Sequence, residues 1–152
     1  MATSPVFTSA GTTIQVSASL PGTYNLSSFA GLSYTAIGEV TDLGEFGREY
    51  NLVTHNPLGD RRTVKRKGSY NDGAVSMTLA RVPSDAGQAL LIAGLDSDNS
   101  YSFKVTLQDG TIQYFTAQIM SYTTNIGGVD QITSASVTLE IDDDIIEDIP
   151  TP

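Results

Sequence analysis

The sequence predicts a mainly β domain: an antiparallel β-sandwich or barrel of two packed sheets, with one flanking α-helix and a long projecting loop. Three observations predict it. Over residues 101–108, Tyr101, Phe103, Val105 and Leu107 alternate with Ser102, Lys104, Thr106 and Gln108, and a period of two puts the two sets on opposite faces of a strand. Asp109-Gly110 then separates this run from a second β-type run, a strong hairpin signal because Gly takes positive φ freely and Asp tolerates it. Composition agrees: Ser, Thr and Gly are abundant and charged residues make up only 16%, the balance of a turn-rich β protein.

At 152 residues the chain fits one domain with a sizeable core. Residues 1–10 are small and polar with Pro5 and read as a flexible arm. Residues 11–18 alternate around Ile14 and Val16 and read as a strand. Residues 19–31 carry Pro21, Gly22, Asn25 and Gly31 and read as a loop, with Leu26 and Phe29 tucked under the domain. Residues 32–43 form a strand broken near Gly38.

Residues 44–68 are the least regular stretch, with Gly44, Gly47, Asn56-Pro57 and Gly59-Asp60. A long structureless loop in a compact domain is uncommon and usually functional. Hairpin-forming β residues occur at 48–54 and again at 63–65. Tyr50, Leu52, Val53, Leu58 and Val64 make the segment too apolar for a solvated linker, so it reads as a projecting flap that a partner covers.

Residues 73–82 alternate through Val75, Met77 and Leu79 and read as a strand. The one helix is expected over 83–95: Pro83 opens it, Ser84 or Asp85 caps it, and Ala86, Ala89, Leu90, Ala93 and Leu95 recur near helical spacing. In the second hairpin arm the apolar parity changes twice, at Tyr114–Phe115 and at Ile119–Met120. Either a bulge or a strand covered on both faces explains it. Residues 131–141 form the final strand, with Ala135, Val137, Leu139 and Ile141 on one face. Residues 142–152 read as an acidic tail outside the domain, whose boundaries are thus 11–141.

The net charge is −9, which disfavours a free-standing nucleic-acid binder, since phosphate neutralisation needs a basic surface. The charge is uneven. Arg61, Arg62, Lys65, Arg66 and Lys67 cluster in the flap, and Glu140, Asp142, Asp143, Asp144, Glu147 and Asp148 cluster at the C-terminal end. Flap and tail therefore attract each other, within one subunit or between two. Cysteine is absent, which excludes disulfides and thiolate metal sites. No apolar run is long enough to span a bilayer, so no membrane insertion is expected. The N-terminus lacks the basic and apolar regions of a signal peptide, so the chain starts in the cytosol of the cell that makes it.

Catalysis and cofactors find little support. His55 is the sole histidine, and beside Asn56-Pro57 it reads as a solvated or interface residue, since a histidine base wants an orienting carboxylate and a nucleophile. Asp142-Asp143-Asp144 and Asp96-Ser97-Asp98-Asn99 lack the spaced oxygens, Gly and Glu of a calcium loop. No Gly-rich phosphate cradle is followed by Lys. No catalytic residue, metal or cofactor is expected.

Three segments in order resemble the tail tube (major tail) proteins of long flexible-tailed, lambda-like bacteriophages. They are V-T-D-L at 40–43 leading into a long loop, S-M-T-L-A-R-V at 76–82 before a helix with G-Q-A-L-L at 87–91, and the hairpin Y-S-F-K-V-T-L-Q-D-G-T-I-Q-Y-F followed by I-T-S-A-S-V-T-L-E-I. The resemblance spans roughly residues 10–141 and departs in the flap, which is basic here. It implies a structural, non-enzymatic subunit that forms homohexameric rings stacked into a hollow tube in the virion tail, assembled in the cytoplasm of the bacterial host. It implies as partners other copies of the chain, a tape-measure protein in the lumen, tail tip and terminator proteins, and DNA passing without specific binding.

On this reading the flap supplies contacts between subunits and rings through Arg48, Tyr50, Leu52, Val53, His55, Leu58, Arg61, Arg62, Val64, Lys65, Arg66 and Lys67. Glu39, Asp42 and Glu140 are the acids expected near the lumen, where like charge keeps phosphates from adhering. Two alternatives remain. One is another ring-forming module: a head–tail joining or terminator subunit, a capsid-decoration protein, or a secretion-system tube protein. The other is a monomeric β-sandwich binding module or enzyme.

Overall fold

A computed structural model describes residues 6–149. Half of the expected N-terminal arm, residues 1–5, and the terminal P-T-P lie outside the described residues. Ten strands and two helices follow in order: β1 Thr13–Ser17, α1 Leu26–Ala30, β2 Thr35–Ala36, β3 Val40–Asp42, β4 Glu49–His55, β5 Val64–Asn71, β6 Ala74–Ala80, α2 Ala86–Leu95, β7 Tyr101–Thr106, β8 Ile112–Asn125, β9 Ser134–Ile141 and β10 Ile146–Asp148. The fold is the expected mainly β antiparallel domain with a flanking helix and a projecting segment.

Seven strands pair in the order β2-β1-β7-β8-β9-β6-β3, β10 adds to β8, and β4 and β5 form a separate two-stranded sheet. The order forces the large sheet to curl. Its outermost strands, β2 and β3, are joined by only Ile37, Gly38 and Glu39. A flat sheet of seven strands would hold them about 29 Å apart, whereas four peptide steps reach about 14 Å at most. The sheet therefore rolls into a barrel whose seam is this connection. Ile37 N–H donates to the Ile14 carbonyl at 3.0 Å and Ala80 N–H to the Glu39 carbonyl at 2.8 Å, which ties the seam to both walls. Glu39 adopts φ 60° to make the turn.

The core is the inner face of this roll. Val16, Val75, Leu79, Phe103, Phe115, Ala117, Ala135 and Leu139 have no solvent exposure. Phe103 and Phe115 are cross-strand partners and stack with centroids 5.5 Å apart. The expected Asp109-Gly110 turn joins β7 and β8, with Gly110 at φ 93°.

Strand β8 resolves its own parity puzzle by using both devices. Its first half is covered on two faces: Phe115 and Ala117 point into the core, while Tyr114 and Thr116 are buried on the other side. Phe29 of α1 stacks on Tyr114 at 5.5 Å, and Thr116 Oγ1 donates to Asp142 at 2.6 Å. The register then shifts between Ile119 and Ser121 against β9, and Met120 turns outward with 56% exposure.

Three expectations need correction. The loop at 19–31 contains the single-turn helix α1, capped by Asn25, whose side chain accepts from Ser28 N–H at 2.9 Å; Phe29 is fully buried as expected. The helix α2 begins at Ala86 with Asp85 as its cap, and it buries Gly87, Gln88, Leu91 and Gly94 while Ala86, Ala89 and Ala93 face out. Small residues decide this: a Cβ at position 87 would lie 2.2 Å from the Ala36 carbonyl oxygen, so only glycine lets the helix approach the seam. Finally, residues 142–149 are not a detached tail. β10 pairs Ile146 with Tyr114 and Asp148 with Ile112, and Ile145 packs against the core, because two adjacent isoleucines gain from leaving water.

Candidate assembly surfaces

The flap is a β-hairpin. Glu49–His55 pairs with Val64–Asn71 from Glu49↔Asn71 to His55↔Val64. The register shifts between Tyr50 and Leu52, where β5 carries the extra residue at Gly68-Ser69. Alternation then assigns two faces. One carries Tyr50, Leu52, Thr54, Lys65, Lys67 and Tyr70; the other carries Val53, His55, Val64 and Arg66. Each face thus mixes apolar bodies with cations. Lys67 Nζ sits 4.7 Å above the Tyr50 ring, and the two tyrosine rings meet at 5.2 Å.

Neither face is covered. All of β4 is exposed, Leu52 at 65% and Val53 at 52%, and Leu58 in the tip is fully exposed. Residues 51–68 hold five Lys and Arg against Asp60 alone, while the rest of the chain has three against sixteen acids. Among the described residues, both ion pairs involve Arg48 at the hairpin base, with Asp144 at 3.0 Å and Asp72 at 3.7 Å; Arg61, Arg62, Lys65, Arg66 and Lys67 pair with no acid.

Tail and flap do meet, through a contact the charge clusters only half disclosed. Asp144 accepts from Arg48 at 3.0 Å and from the Tyr70 hydroxyl at 3.1 Å, while its carbonyl accepts from the Tyr24 hydroxyl. The Arg48 guanidinium lies 4.2 Å from the Tyr70 ring centroid. The hydrogen bond to the Asp144 carboxylate raises the Tyr70 phenol above its ordinary range. Burial pushes the Tyr24 phenol up to about 12.

A second surface is the outer face of β3, β6, β9 and the second half of β8. Ser76 pairs with Thr138 and Thr78 with Ser136, and across β8 Gln118 pairs with Glu140, Ser121 with Thr138 and Thr123 with Ser136. The result is a hydroxyl-rich sheet without Lys or Arg among these positions. Of the expected lumen acids, Asp42 (opposite Thr78) and Glu140 lie on it at opposite ends, both exposed. Glu39 is exposed at the seam instead. Met120, the one large apolar residue on this face, was not anticipated; its signal was the parity change at Ile119–Met120.

A third feature is a groove of ≈ 660 Å³ under the seam. Its half-buried floor includes Val40, Leu43, Phe46 and Leu107, and Glu39 and Asp42 line it without any cation. No group of three or more potential metal ligands occurs among the described residues.

The family model described as lambda phage tail tube protein, TTP, matches residues 21–144. The chain belongs to this family. It is a structural subunit of a tail tube and a component of the virion tail. Solved structures agree on the fold. A chain of the anti-feeding prophage baseplate, 6-fold symmetrised, is similar with a TM-score of 0.69 at 11% identity, over 98% of both chains. A chain of an extracellular contractile injection system, from its PVC sheath-tube complex in the extended state, has a TM-score of 0.62 at 12% identity, over 91% of this chain and 88% of that one. A chain from the tail of an empty GTA particle, refined with C6 symmetry, has 0.61 at 14%, over 88% and 92%. Compared by sequence with curated proteins, the tail tube subunit matches none.

Proposed function

We propose that six copies close into a ring, that rings stack into a hollow tube, and that the hydroxyl-rich face of β6, β8 and β9 lines its lumen. The observation that carries this reading is the division of labour between the two exposed sheets. A conduit wall needs a polar face free of fixed cations, so that a polyanion slides without adhering. The outer face of the barrel has that chemistry, with Asp42 and Glu140 on it and Glu39 at its margin. A ring also needs something to grip its neighbours. The flap, whose two-faced exposure of Tyr50, Leu52, Val53 and Leu58, with Val64 half-buried, has no explanation in a lone subunit, supplies that grip, with Arg48, His55, Arg61, Arg62, Lys65, Arg66 and Lys67 facing the acids of other subunits. The tube encloses the tape-measure protein and later passes DNA without specific binding. It is assembled in the host cytoplasm between tail tip and terminator proteins, and it carries no catalytic or cofactor chemistry. Six-fold closure draws support from the symmetry of the baseplate and particle tail described above.

Negative-stain electron microscopy of the purified protein over a concentration series tests this. Hollow tubes with a regular axial repeat are expected. Single rings that never stack would instead favour a terminator. A second arm reverses Arg61, Arg62, Lys65, Arg66 and Lys67 to Glu. The variant is expected to stay folded and to form no tubes; normal tubes would remove the basic cluster from assembly.

A further inference from the structure

The groove under the seam has the complementary chemistry of the flap tip. Its floor is made of Val40, Leu43, Phe46 and Leu107, apolar side chains that rest on the core yet stay half-exposed. Such a concavity left to water is costly, and a partner that fills it recovers the burial. Its rim is acidic, through Glu39 and Asp42, and no Lys or Arg lines it. The flap tip presents the inverse. Leu58 is fully exposed between Pro57 and Gly59; Asp60 then accepts from the Arg62 backbone N–H at 3.1 Å, and the side chains of Arg61 and Arg62 form no ion pair among the described residues. From Glu49 to His55 β4 extends about 20 Å at β-strand rise, which gives the tip a long reach from the hairpin base.

We propose that this groove is the socket for the flap tip of a second copy of the chain, with Leu58 entering the apolar floor and Arg61 and Arg62 facing Glu39 and Asp42 at the edge of the polar face, where each guanidinium is neutralised by a carboxylate and adds no net positive charge to that face. The proposal rests on the assembly reading above and names the receiving surface. The two halves of the contact do different work. Burial of Leu58 supplies the anchor, as buried apolar anchors do at interface centres. The charged rim sets the orientation of the incoming tip. A chain that carries one plug and one socket at different places makes a head-to-tail contact, which propagates from copy to copy.

Disulfide trapping tests it, because the chain has no cysteine of its own. Leu58→Cys protein, lengthened by a tag so that masses differ, is co-assembled with Thr41→Cys protein and oxidised. Thr41 lines the groove and is exposed. Ser9→Cys, on the same rim and outside any strand, is a second receiver in case the first disturbs β3. Thr123→Cys, on the polar face, is the control. Mixed-mass dimers at least tenfold above the control are expected with either groove position, and only in assembled fractions. Assembly in which neither groove position exceeds the control overturns the socket while leaving tube formation intact. A trapped pair between Phe7→Cys, which is also exposed, and Thr41→Cys in place of the Leu58 pair would overturn it in favour of the N-terminal arm as occupant. Unmodified protein that never assembles overturns the underlying reading, and the socket with it.

Discussion

In β9 every second residue is buried, with Ala135, Val137, Leu139 and Ile141 at 7% exposure or less, whereas all seven residues of β4 are exposed. Both strands are regular and both are paired, but only β9 has a third layer of side chains beneath it. A two-stranded ribbon has no core of its own and is marginal alone, so the flap has its shape from pairing and lacks the burial that stabilises the barrel. Hydrogen bonding gives strand geometry; what a strand contributes to stability depends on what covers it. In this chain the uncovered strands are the ones left over for partners.

The sharpest way to break that contrast is to truncate one large side chain in each region. Phe115→Ala empties the stacked aromatic centre of the barrel, and a buried Phe→Ala change costs about 3–5 kcal/mol. Leu52→Ala or Val53→Ala, at exposed positions, is expected to stay within about 0.5 kcal/mol. Urea unfolding of the unassembled protein measures both. If the flap truncations cost as much as Phe115→Ala, the hairpin is packed against something in the lone subunit and the contrast fails.

Gln88 gives the next largest effect, because it closes the seam. Its side-chain amide donates to the Gly38 carbonyl at 3.1 Å and the Ala80 carbonyl at 3.0 Å, and its oxygen accepts from Val82 N–H at 2.9 Å. The residue is 1% exposed. Replacing it with Leu keeps the bulk and strands three backbone groups, each worth about 1–3 kcal/mol when left buried and unpaired, with relaxation and water reducing the sum. A loss of about 3 kcal/mol is expected in the same urea experiment, and a loss below about 1 kcal/mol would mean that water replaces the side chain.

Gln88 also marks where the sequence stops being legible. The alternations of β6, β7 and β9, the Asp109-Gly110 turn and the break at Gly38 were readable because each is a local pattern with a local cause. The seam was not, because nothing local tells that residues 36 and 40 belong to opposite ends of one sheet. The helix face was misleading for a related reason. Ala86, Ala89 and Ala93 look like a packing stripe, and the real stripe runs through Gly87 and Gly94, whose virtue is the absence of a side chain. The return of β10 to the sheet was masked by the acids around Ile145 and Ile146. Of the assembly surfaces, the flap was legible in its excess of exposed-looking apolar residues, while the groove exists only once β1, β7 and the 36–46 connection are brought together.

High pH probes the barrel side by a smaller margin. Burial raises Tyr24 to about 12 and raises Tyr34 further, and both serve the barrel side through Phe29 and Tyr114. In the unfolded chain these phenols ionise near pH 10. Between that pH and the folded values the folded state holds protons that the unfolded state has released, so stability falls as pH rises. It is fully present below pH 10 and declines from there toward 12. The urea midpoint is expected to be flat from pH 8 to 9.5 and to drop above 10, with a shallower drop in Tyr34→Phe. An equally steep drop in that variant would assign the alkaline loss to other groups.

The smallest effect is the most local, and it concerns the join between the regions. Asp144 holds Arg48 and Tyr70 of the flap while its backbone holds Tyr24 of the barrel side. The Arg48 pair is solvent-exposed, and exposed pairs contribute little to global stability, so Asp144→Asn is expected to leave the urea midpoint unchanged. What it removes is the fixed charge at the hinge of the hairpin. Amide hydrogen exchange at Glu49, Tyr50 and Tyr70 is therefore expected to quicken in the unassembled variant, while exchange in β6 and β9 stays slow. In assembled tubes the flap amides of the native chain are expected to slow markedly, because the partner supplies the missing layer. Flap exchange equally slow before and after assembly would mean that the hairpin is already rigid in the lone subunit, and that association adds burial without adding order.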